Sequence, residues 1–192
     1  MLKSTSRLCD VKVVIFDWGG VLGHSGKRHV FLYSPSIKQR KSALKRDVFT
    51  TLKTLKSRGY ILGILSNTKY SRADMSNALK KLKLDKYFKF AIYSSDDFTK
   101  DNGPKMCRKP CRNIFETAIK ISREYIPYIR ASRILYVGDD YRKDMVGAKK
   151  LGFKTAFLIG DDYTNLQRSQ SRPLNSHDIV LSDLSDILSF LK

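Results

Sequence analysis

The sequence predicts an α/β protein, a three-layer α/β/α sandwich with a mostly parallel central sheet. Short runs of β-branched and aromatic residues recur along the chain, and stretches with a helical pattern separate them. Strands that alternate with helices form βαβ units, which place helices on both faces of a parallel sheet. At 192 residues and 42% hydrophobic, the chain is long enough for one well-buried core and short for two. We therefore expect a single domain over residues 1–192.

The predicted elements follow one another in a regular order. The strands are Val11–Phe16, Tyr60–Leu65, Phe88–Tyr93, Arg133–Val137, Lys154–Ile159 and a short closing run, DIVL, at 178–181. The helices are Ser42–Arg58, Ser71–Leu82, Asn113–Tyr125, Arg142–Leu151 and a final helix that begins near Ser182. Gly59 stands where a glycine commonly ends a helix.

Polar side chains come directly after several of the predicted strands. Asp17 follows the first strand, Ser66 and Asn67 follow the second, and Asp139 and Asp140 lie just beyond the fourth. In open parallel sheets, ligands bind beyond the carboxyl ends of the strands. The sequence therefore predicts a site that gathers these five residues at one edge of the sheet.

Two long irregular stretches, residues 23–41 and 96–109, are expected to border that site, because functional loops are often of this kind. The first is a possible flap or minimal cap, and the second is a possible extended loop at the rim. Three flap residues are expected near the mouth of the site: Lys27, Arg28 and His29. Phe31 and Tyr33 either stack on a base of a nucleic acid or pack within the flap.

The net charge of +19, from 37 basic and 18 acidic residues, is the unusual bulk property of the chain. Residues 1–100 hold 21 basic and 7 acidic groups, net +14, and residues 101–192 hold 16 and 11, net +5. Such a field favours anionic partners, namely nucleic acid, a phosphorylated protein or a small phosphoester. The alternative is a solvated, lysine-rich surface without a specific partner.

The sequence predicts a cytoplasmic protein without a membrane span or a secretory signal. It has no run of about 18 apolar residues, and no apolar stretch precedes the first strand. In that compartment we expect Cys9, Cys107 and Cys111 to be reduced thiols. Zinc is not favoured, because the three histidines supply no obvious pair of ligands. The oligomeric state is left open.

Four segments in a fixed order carry a family resemblance. They are VVIFDWGGVL at 13–22, ILGILSN at 61–67, Lys109 within RKP, and YVGDDYRKD at 136–144. Together they resemble the haloacid dehalogenase (HAD) superfamily of hydrolases, over essentially the whole chain. The most specific part is VGDDYRKDMVGAKKLGF, which contains the fourth segment and its sequel. The resemblance implies a HAD-like, Rossmann-like core.

The resemblance also implies a Mg²⁺-dependent phosphohydrolase with Asp17 as the nucleophile. A carboxylate at a strand end can attack phosphorus and split one difficult step into two through an aspartyl-phosphate. Oxygen ligands suit Mg²⁺, which offsets the charge of the phosphate. By resemblance, Asp17, the backbone carbonyl of Gly19 and Asp139 bind the metal, while Asp144 orients its water shell and Asp140 shares that role.

The resemblance assigns the phosphate-binding groups as well. Ser66 is expected to donate its hydroxyl to the phosphoryl oxygens, together with backbone N–H groups near Trp18, Gly19 and Asn67. Lys109 is expected to pair with Asp17 and with the transferring phosphate, which gives it a catalytic role.

Gly19 is a departure from the pattern of many phosphatases of this superfamily. Those proteins carry a second aspartate two residues after the nucleophile, as the general acid that protonates the leaving oxygen. With glycine there, the backbone ligand is kept and the proton donor is lost. This favours substrates with a good leaving group or an acid supplied elsewhere, and His24 is the nearest alternative in the sequence.

Many members of the superfamily carry an inserted cap over the active site, which determines specificity. In this chain the insert is short. Residues 23–41 are too few for a helical cap domain, so the site is expected to be open, which suits a macromolecular substrate or a cap from a partner subunit. One alternative function is a catalytically weak relative that binds nucleic acid or an acidic partner through residues 1–100. Dehalogenation is disfavoured, because it needs a closed, apolar cap and no metal.

Overall fold

The computed structural model describes residue 8 and residues 10–95, 107–159 and 179–191. In these residues the chain forms one six-stranded sheet in the order β3-β2-β1-β4-β5-β6, and every neighbouring pair of strands is parallel. The strands are β1 Val13–Phe16, β2 Ile61–Ser66, β3 Phe90–Tyr93, β4 Ile134–Gly138, β5 Lys154–Leu158 and β6 Ile179–Leu181. The predicted fold class is confirmed.

Helices connect the strands on both sides of the sheet. They are α1 Arg28–Tyr33, α2 Ile37–Ser42, α3 Val48–Ser57, α4 Arg72–Lys81, α5 Arg112–Tyr125, α6 Val146–Lys150 and α7 Ile187–Phe190. A π-helical turn, Tyr141–Met145, precedes α6, and single 3₁₀ turns lie at Asp85–Tyr87, Ala131–Arg133 and Leu184–Asp186. None of the helices in the described ranges is long and apolar enough to span a membrane.

The sheet has an apolar core on each face. On β1, Val14 and Phe16 belong to the cluster that packs against α3, α4 and α7, whereas Val13 and Ile15 belong to the cluster that packs against α5 and α6. This division follows from the two-residue period of a strand. Because both faces are buried, the central strand β1 and its neighbour β2 are nearly continuous apolar runs without polar alternation.

The central position of β1 brings three strand ends together. Phe16, its last residue, lies in register with Ile64 of β2 on one side and Val137 of β4 on the other. The chain order reverses between these two neighbours, which is the point where ligands bind in open α/β sheets. The residues that follow β1, β2 and β4 therefore meet at one place.

The segment 23–41 differs from the irregular flap that the sequence predicts. It contains α1 and α2, and the expected helix Ser42–Arg58 begins only at Val48. The delay has a local cause, since the chain after α2 pairs with the first loop: the N–H of His24 bonds to the carbonyl of Ala43 at 2.9 Å. The flap is thereby joined to the body of the domain.

The cysteine prediction is wrong for two of the three residues. Cys107 and Cys111 form a disulfide, across a turn that places their Cα atoms 5.7 Å apart, within bridging distance. The expectation of reduced thiols rested on the compartment and neglected the short C-x3-C spacing. Cys9 lies outside the described residues.

Arg40 ties the two flap helices together. Its guanidinium is buried, and Nη1 donates to the carbonyls of Phe31 and Leu32 at 2.5 and 2.6 Å, near the end of α1. The last carbonyls of a helix have no N–H partner within the helix. The Arg40 side chain of α2 therefore supplies the hydrogen bonds that these two carbonyls of α1 lack.

Substitution Arg40→Met should destabilise the protein by about 2 kcal/mol, because two buried carbonyls lose a charged donor. Urea unfolding followed by circular dichroism measures the change. Lys38→Met, an exposed change on the same helix, is the matched control and should stay within about 0.5 kcal/mol of wild type. Equal midpoints for both variants would contradict this role of Arg40.

Candidate active site

The loop after β1 presents its backbone to the site and hides its large side chain. The Asp17 N–H donates to the carbonyl of Val137 at 2.9 Å, which fixes the loop against β4. Trp18 is buried, and its ring lies 4.2 Å from that of Phe31. Gly20 has φ +81°, and a Cβ there would lie 1.9 Å from Asp139 Oδ2. The loop therefore approaches the end of β4 as closely as only glycine permits.

Three carboxylates gather where β1 and β4 end. Oxygen atoms of Asp17, Asp139 and Asp144 lie within 4.8 Å of one another. Burial, followed by the charges of Asp17 and Asp144, raises the pKa of Asp139 to about 7. Lys109 opposes this shift but does not outweigh it, and the oxygen donors of the cluster are the kind that Mg²⁺ prefers. These residues fit a divalent cation.

Asp140 stands apart from this cluster, contrary to the metal-binding role predicted for it. Its carboxylate accepts from the backbone N–H of Lys143 at 3.0 Å and pairs with the Lys143 ammonium at 2.6 Å. The side chain thus caps the π-helical turn, as aspartate does at helix starts. Its predicted role as a metal ligand has no support in this geometry.

Lys109 is the buried cation of the site. Its Nζ lies 2.8 Å from Asp17 Oδ1, 2.7 Å from Asp144 Oδ1 and 2.7 Å from the Tyr136 hydroxyl. Burial lowers the pKa of Lys109, but the charges of Asp144 and Asp17 outweigh it, and the pKa is raised overall. The side chain of Asp17 is 13% exposed, against 2% for Lys109 and 1% for Asp144. Of the three, Asp17 is the group that a substrate reaches.

Asn67 positions the backbone that carries Lys109. Its amide nitrogen donates to the carbonyl of Lys109 at 3.1 Å, and its amide oxygen accepts from the Lys109 N–H at 2.8 Å. This two-way contact joins the end of β2 to the lysine loop. The predicted phosphate role of Asn67 concerns its backbone N–H, and the side chain is already engaged.

Sequence reasoning missed Tyr136. It lies on β4, its hydroxyl donates to the carbonyl of Leu65 at 3.1 Å, and it lies 3.2 Å from Asp144 Oδ1. The phenol therefore holds Lys109 and Asp144 against β2. A tyrosine within an otherwise apolar, two-sided strand was the available signal, because buried phenols require a hydrogen-bond partner.

Ser66 and Arg28 form another side of the site, away from Asp139 and Asp144, the carboxylates that follow β4. Ser66 ends β2 and is fully buried. Arg28, from the start of α1, donates from Nη2 to Ser66 Oγ at 3.2 Å and from Nη1 to the carbonyl of Asn67 at 3.0 Å. Burial lowers the pKa of Arg28, and the nearby Asp17 opposes that shift.

These groups line one open cleft of about 870 Å³. Basic side chains from three loops stand around it: Lys69, Arg108 and Lys143. Its lining also includes Asp17, Trp18, Gly19, His24, Arg28, Asn67, Tyr70, Lys109, Asp139, Asp140 and Asp144. The volume exceeds what a single phosphate group fills, and the positive rim suits an anionic substrate.

Of the flap residues predicted to lie near the mouth of the site, Arg28 lines the cleft. The other flap residues named in the prediction do not have the expected contacts or lie outside the described residues. Phe31 is buried against Trp18, so it packs and is not available to stack on a base. Tyr33 is 47% exposed and meets Tyr70 edge to face. Lys27 is exposed and does not line the cleft, and the side chain of His29 is outside the described residues. Of the predicted rim loop 96–109, the segment 96–106 likewise lies outside them.

A strand-end aspartate, a buried lysine and a carboxylate cluster at the switch point of a parallel sheet define a hydrolase-type site for anionic substrates. A family model, haloacid dehalogenase-like hydrolase, matches residues 24–158. The chain belongs to this family, and the predicted resemblance is confirmed.

Known proteins with similar sequence or fold include phosphatases and dehalogenases. A glyceraldehyde 3-phosphate phosphatase from Pyrococcus furiosus is 27% identical over 142 residues, which is 74% of this chain and 52% of that protein. The chain thus spans about half the length of this curated relative. A D,D-heptose 1,7-bisphosphate phosphatase from B. bronchiseptica, complexed with magnesium and phosphate, aligns with TM-score 0.67 and 17% identity over 93% of this chain and 97% of that one. A 2-haloacid dehalogenase from Pseudomonas syringae aligns with TM-score 0.64 and 17% identity over 94% and 97%. These two structures show the fold alone.

The raised pKa of Asp139 predicts a pH-dependent effect of Mg²⁺ on stability. The folded pKa of about 7 exceeds the ordinary value of 3.8, so the metal-free folded state binds more protons than the unfolded state between these values. The contribution of this group to stability is therefore lost as pH rises toward 7. Bound Mg²⁺ replaces the proton, so it should raise Tm by about 5 °C more at pH 8 than at pH 5.

Thermal unfolding with Mg²⁺ or with EDTA at the two pH values measures this difference. Asp139→Asn is the control, because it removes both the repulsion and the ligand, and its Tm should respond little to Mg²⁺ at either pH. A Mg²⁺ effect that is equal at both pH values in the wild type would contradict the prediction.

Proposed function

We propose that this protein is a Mg²⁺-dependent phosphatase that works through an aspartyl-phosphate on Asp17. The observation that carries the proposal is the ion pair between Asp17 and Lys109, 2.8 Å long, at the base of an open cleft. It holds one carboxylate oriented and partly exposed beside a fixed cation. Those are the requirements of a nucleophile that attacks a dianionic phosphoryl group.

In the first half-reaction, a carboxylate oxygen of Asp17 forms a bond to phosphorus. The bond from phosphorus to the leaving oxygen breaks, and that oxygen departs with the electron pair. Lys109 offsets the negative charge. The hydroxyl of Ser66 and the backbone N–H groups of the loop after β1 are the groups proposed to bind the phosphoryl oxygens.

In the second half-reaction, a water oxygen forms a bond to phosphorus and the bond to Asp17 breaks. Inorganic phosphate leaves, the protons of the water pass to phosphate and solvent, and Asp17 is restored. Lys109 stays paired with Asp144 at 2.7 Å throughout, so its ammonium remains fixed when Asp17 changes charge.

Asp17, Asp139 and the backbone carbonyl of Gly19 are the groups proposed to hold Mg²⁺, with Asp144 beside them. When bound, the ion supplies charge neutralisation and orients the phosphoryl group. Asp144 is fully buried and its Oδ2 accepts from the Asp140 N–H at 3.1 Å, so it serves to shape the site and is not directly in contact with a substrate.

The substrate is proposed to be a phosphorylated small molecule or the phosphate of a macromolecule. The open cleft and its rim of Lys69, Arg108 and Lys143 support either class, since both are anionic. Two relatives named above act on phosphorylated small molecules, glyceraldehyde 3-phosphate and a heptose bisphosphate, which supports phosphorylated compounds as the substrate class.

A second candidate function, binding of nucleic acid or of an acidic partner, is favoured by one surface feature. Exposed lysines of α3 and of the segment after α4 lie near one another, because the Lys56 ammonium donates to the carbonyl of Lys86 at 2.6 Å. We call this the α3 lysine patch, and it consists of Lys53, Lys56 and Lys86. It lies within the basic residues 1–100.

Hydrolysis of 4-nitrophenyl phosphate tests the phosphatase proposal. Turnover should require Mg²⁺ and fall by about 10³-fold or more in Asp17→Asn, because the amide is not a nucleophile. Asp10→Asn is the matched control, since it removes the same charge from an exposed position outside the cleft, and it should retain full activity. Metal-independent turnover, or full activity in Asp17→Asn, would refute the mechanism.

The second candidate predicts that a fluorescent oligonucleotide binds with an affinity that decreases steeply as salt increases. The triple variant Lys53→Gln, Lys56→Gln, Lys86→Gln should weaken binding by about tenfold or more at low salt. A triple variant on the opposite face of the sheet, Lys120→Gln, Arg123→Gln, Lys150→Gln, removes the same charge. Equal losses in both variants would mean that the α3 lysine patch is only a solvated surface.

A further inference from the structure

Gly19 has no side chain, which leaves a space near the proposed nucleophile, Asp17. The guanidinium of Arg28 borders this space. A Cβ built on Gly19 would meet one neighbour, Nη2 of Arg28, at 3.4 Å. The side chain that residue 19 lacks would therefore point at the guanidinium of the flap. In this chain the place of a side chain from the catalytic loop is taken by a cation delivered from α1.

The guanidinium of Arg28 borders the cleft beside Asp17. Nη1 donates to the carbonyl of Asn67 and Nη2 donates to Ser66 Oγ, while Nε is buried and has no partner among the described residues. Each Nη atom carries a second N–H, and a guanidinium is suited to bind the oxygens of a phosphate, so these N–H groups are the donors that Arg28 offers to an anionic substrate.

We infer that Arg28 stabilises the departing oxygen of the substrate as an anion, in place of a proton donor. This inference rests on the proposed function and deepens it. Arginine keeps its proton at any physiological pH, so it offers charge and hydrogen bonds and no proton transfer. In the first half-reaction, the oxygen that leaves phosphorus with the electron pair binds the guanidinium and takes its proton later from water.

The substrate class follows from this chemistry. Phosphoryl donors whose leaving groups are weak bases, such as acyl phosphates, phosphoanhydrides and aryl phosphates, need no proton at the moment of bond cleavage. Phosphate esters of simple alcohols need one, because an alkoxide is a strong base. The inference therefore predicts faster turnover of the first class than of alkyl phosphate esters, in contrast to the sugar phosphates named for the relatives.

A series of aryl phosphates with leaving groups of different pKa tests the inference, with kcat/KM measured in the presence of Mg²⁺. Arg28→Gln should lower kcat/KM for phenyl phosphate by about 100-fold, since phenol has a pKa of about 10. The loss for 4-nitrophenyl phosphate, whose leaving group is the weaker base, should stay below about tenfold. Arg28→Lys, which keeps the charge, should lose less than about tenfold on both substrates.

Two further variants make the result decisive. Lys27→Gln removes the same charge from the exposed neighbour of Arg28, outside the cleft, and should leave the whole series unchanged. His24→Gln removes the side chain that the sequence offers as an alternative proton donor and that lines the cleft. In this variant the dependence of kcat/KM on the pKa of the leaving group should be the same as in the wild type.

An equal loss on all substrates in Arg28→Gln would overturn the inference, because it would assign Arg28 to holding Ser66 and Asn67 in place. A steeper dependence in His24→Gln than in Arg28→Gln would assign the role to His24 as an acid and overturn it also. Failure of the proposed function is distinct, since it appears as wild-type protein without Mg²⁺-dependent turnover of any member of the series.

Discussion

The ammonium group of Lys109 lies between two carboxylates that would otherwise repel each other, at the point where the strands of the sheet end. It balances Asp17 and Asp144 at 2.8 and 2.7 Å, and Tyr136 and Asn67 fix its head and its backbone. The charges of Asp144 and Asp17 outweigh the effect of burial and raise the pKa of Lys109, so this buried lysine keeps its positive charge. The addition of Asp139 brings a third carboxylate within 4.8 Å of the other two, a set of oxygen donors that fits a divalent cation.

Most of the fold and much of the candidate site were predictable from the sequence, for one physical reason. A parallel sheet places every carboxyl strand end at the same edge, so the polar residues after β1, β2 and β4 had to meet there. The alternation of apolar runs and helical stretches was sufficient to locate Asp17, Ser66 and Asp139. Asp140 was assigned to the metal site by resemblance to the family, whereas its carboxylate contacts the backbone N–H and the ammonium of Lys143.

The contributions that were not predictable depend on tertiary contacts between distant segments. Tyr136 serves the site because its side chain lies on the same face as Asp144, eight residues away, and beside the backbone of β2. Arg28 reaches Ser66 across 38 positions because α1 is short and anchored by Arg40. The packing of Phe31 against Trp18 likewise depends on close approach between chain segments, which no local pattern encodes. The disulfide of Cys107 with Cys111 is different, because it joins residues only four positions apart and its local signal was the C-x3-C spacing.

The contact between Trp18 and Phe31 has a kinetic consequence. Because these rings lie 4.2 Å apart and both are buried, the flap and the catalytic loop share one core. Opening the flap would expose two aromatic side chains to water, at a cost of several kcal/mol by the usual scale of apolar transfer. Within the described part of the chain, the flap is therefore a fixed wall of the cleft. Access of a substrate to Asp17 does not depend on a movement of this flap, so we expect no slow flap opening or closing step in turnover.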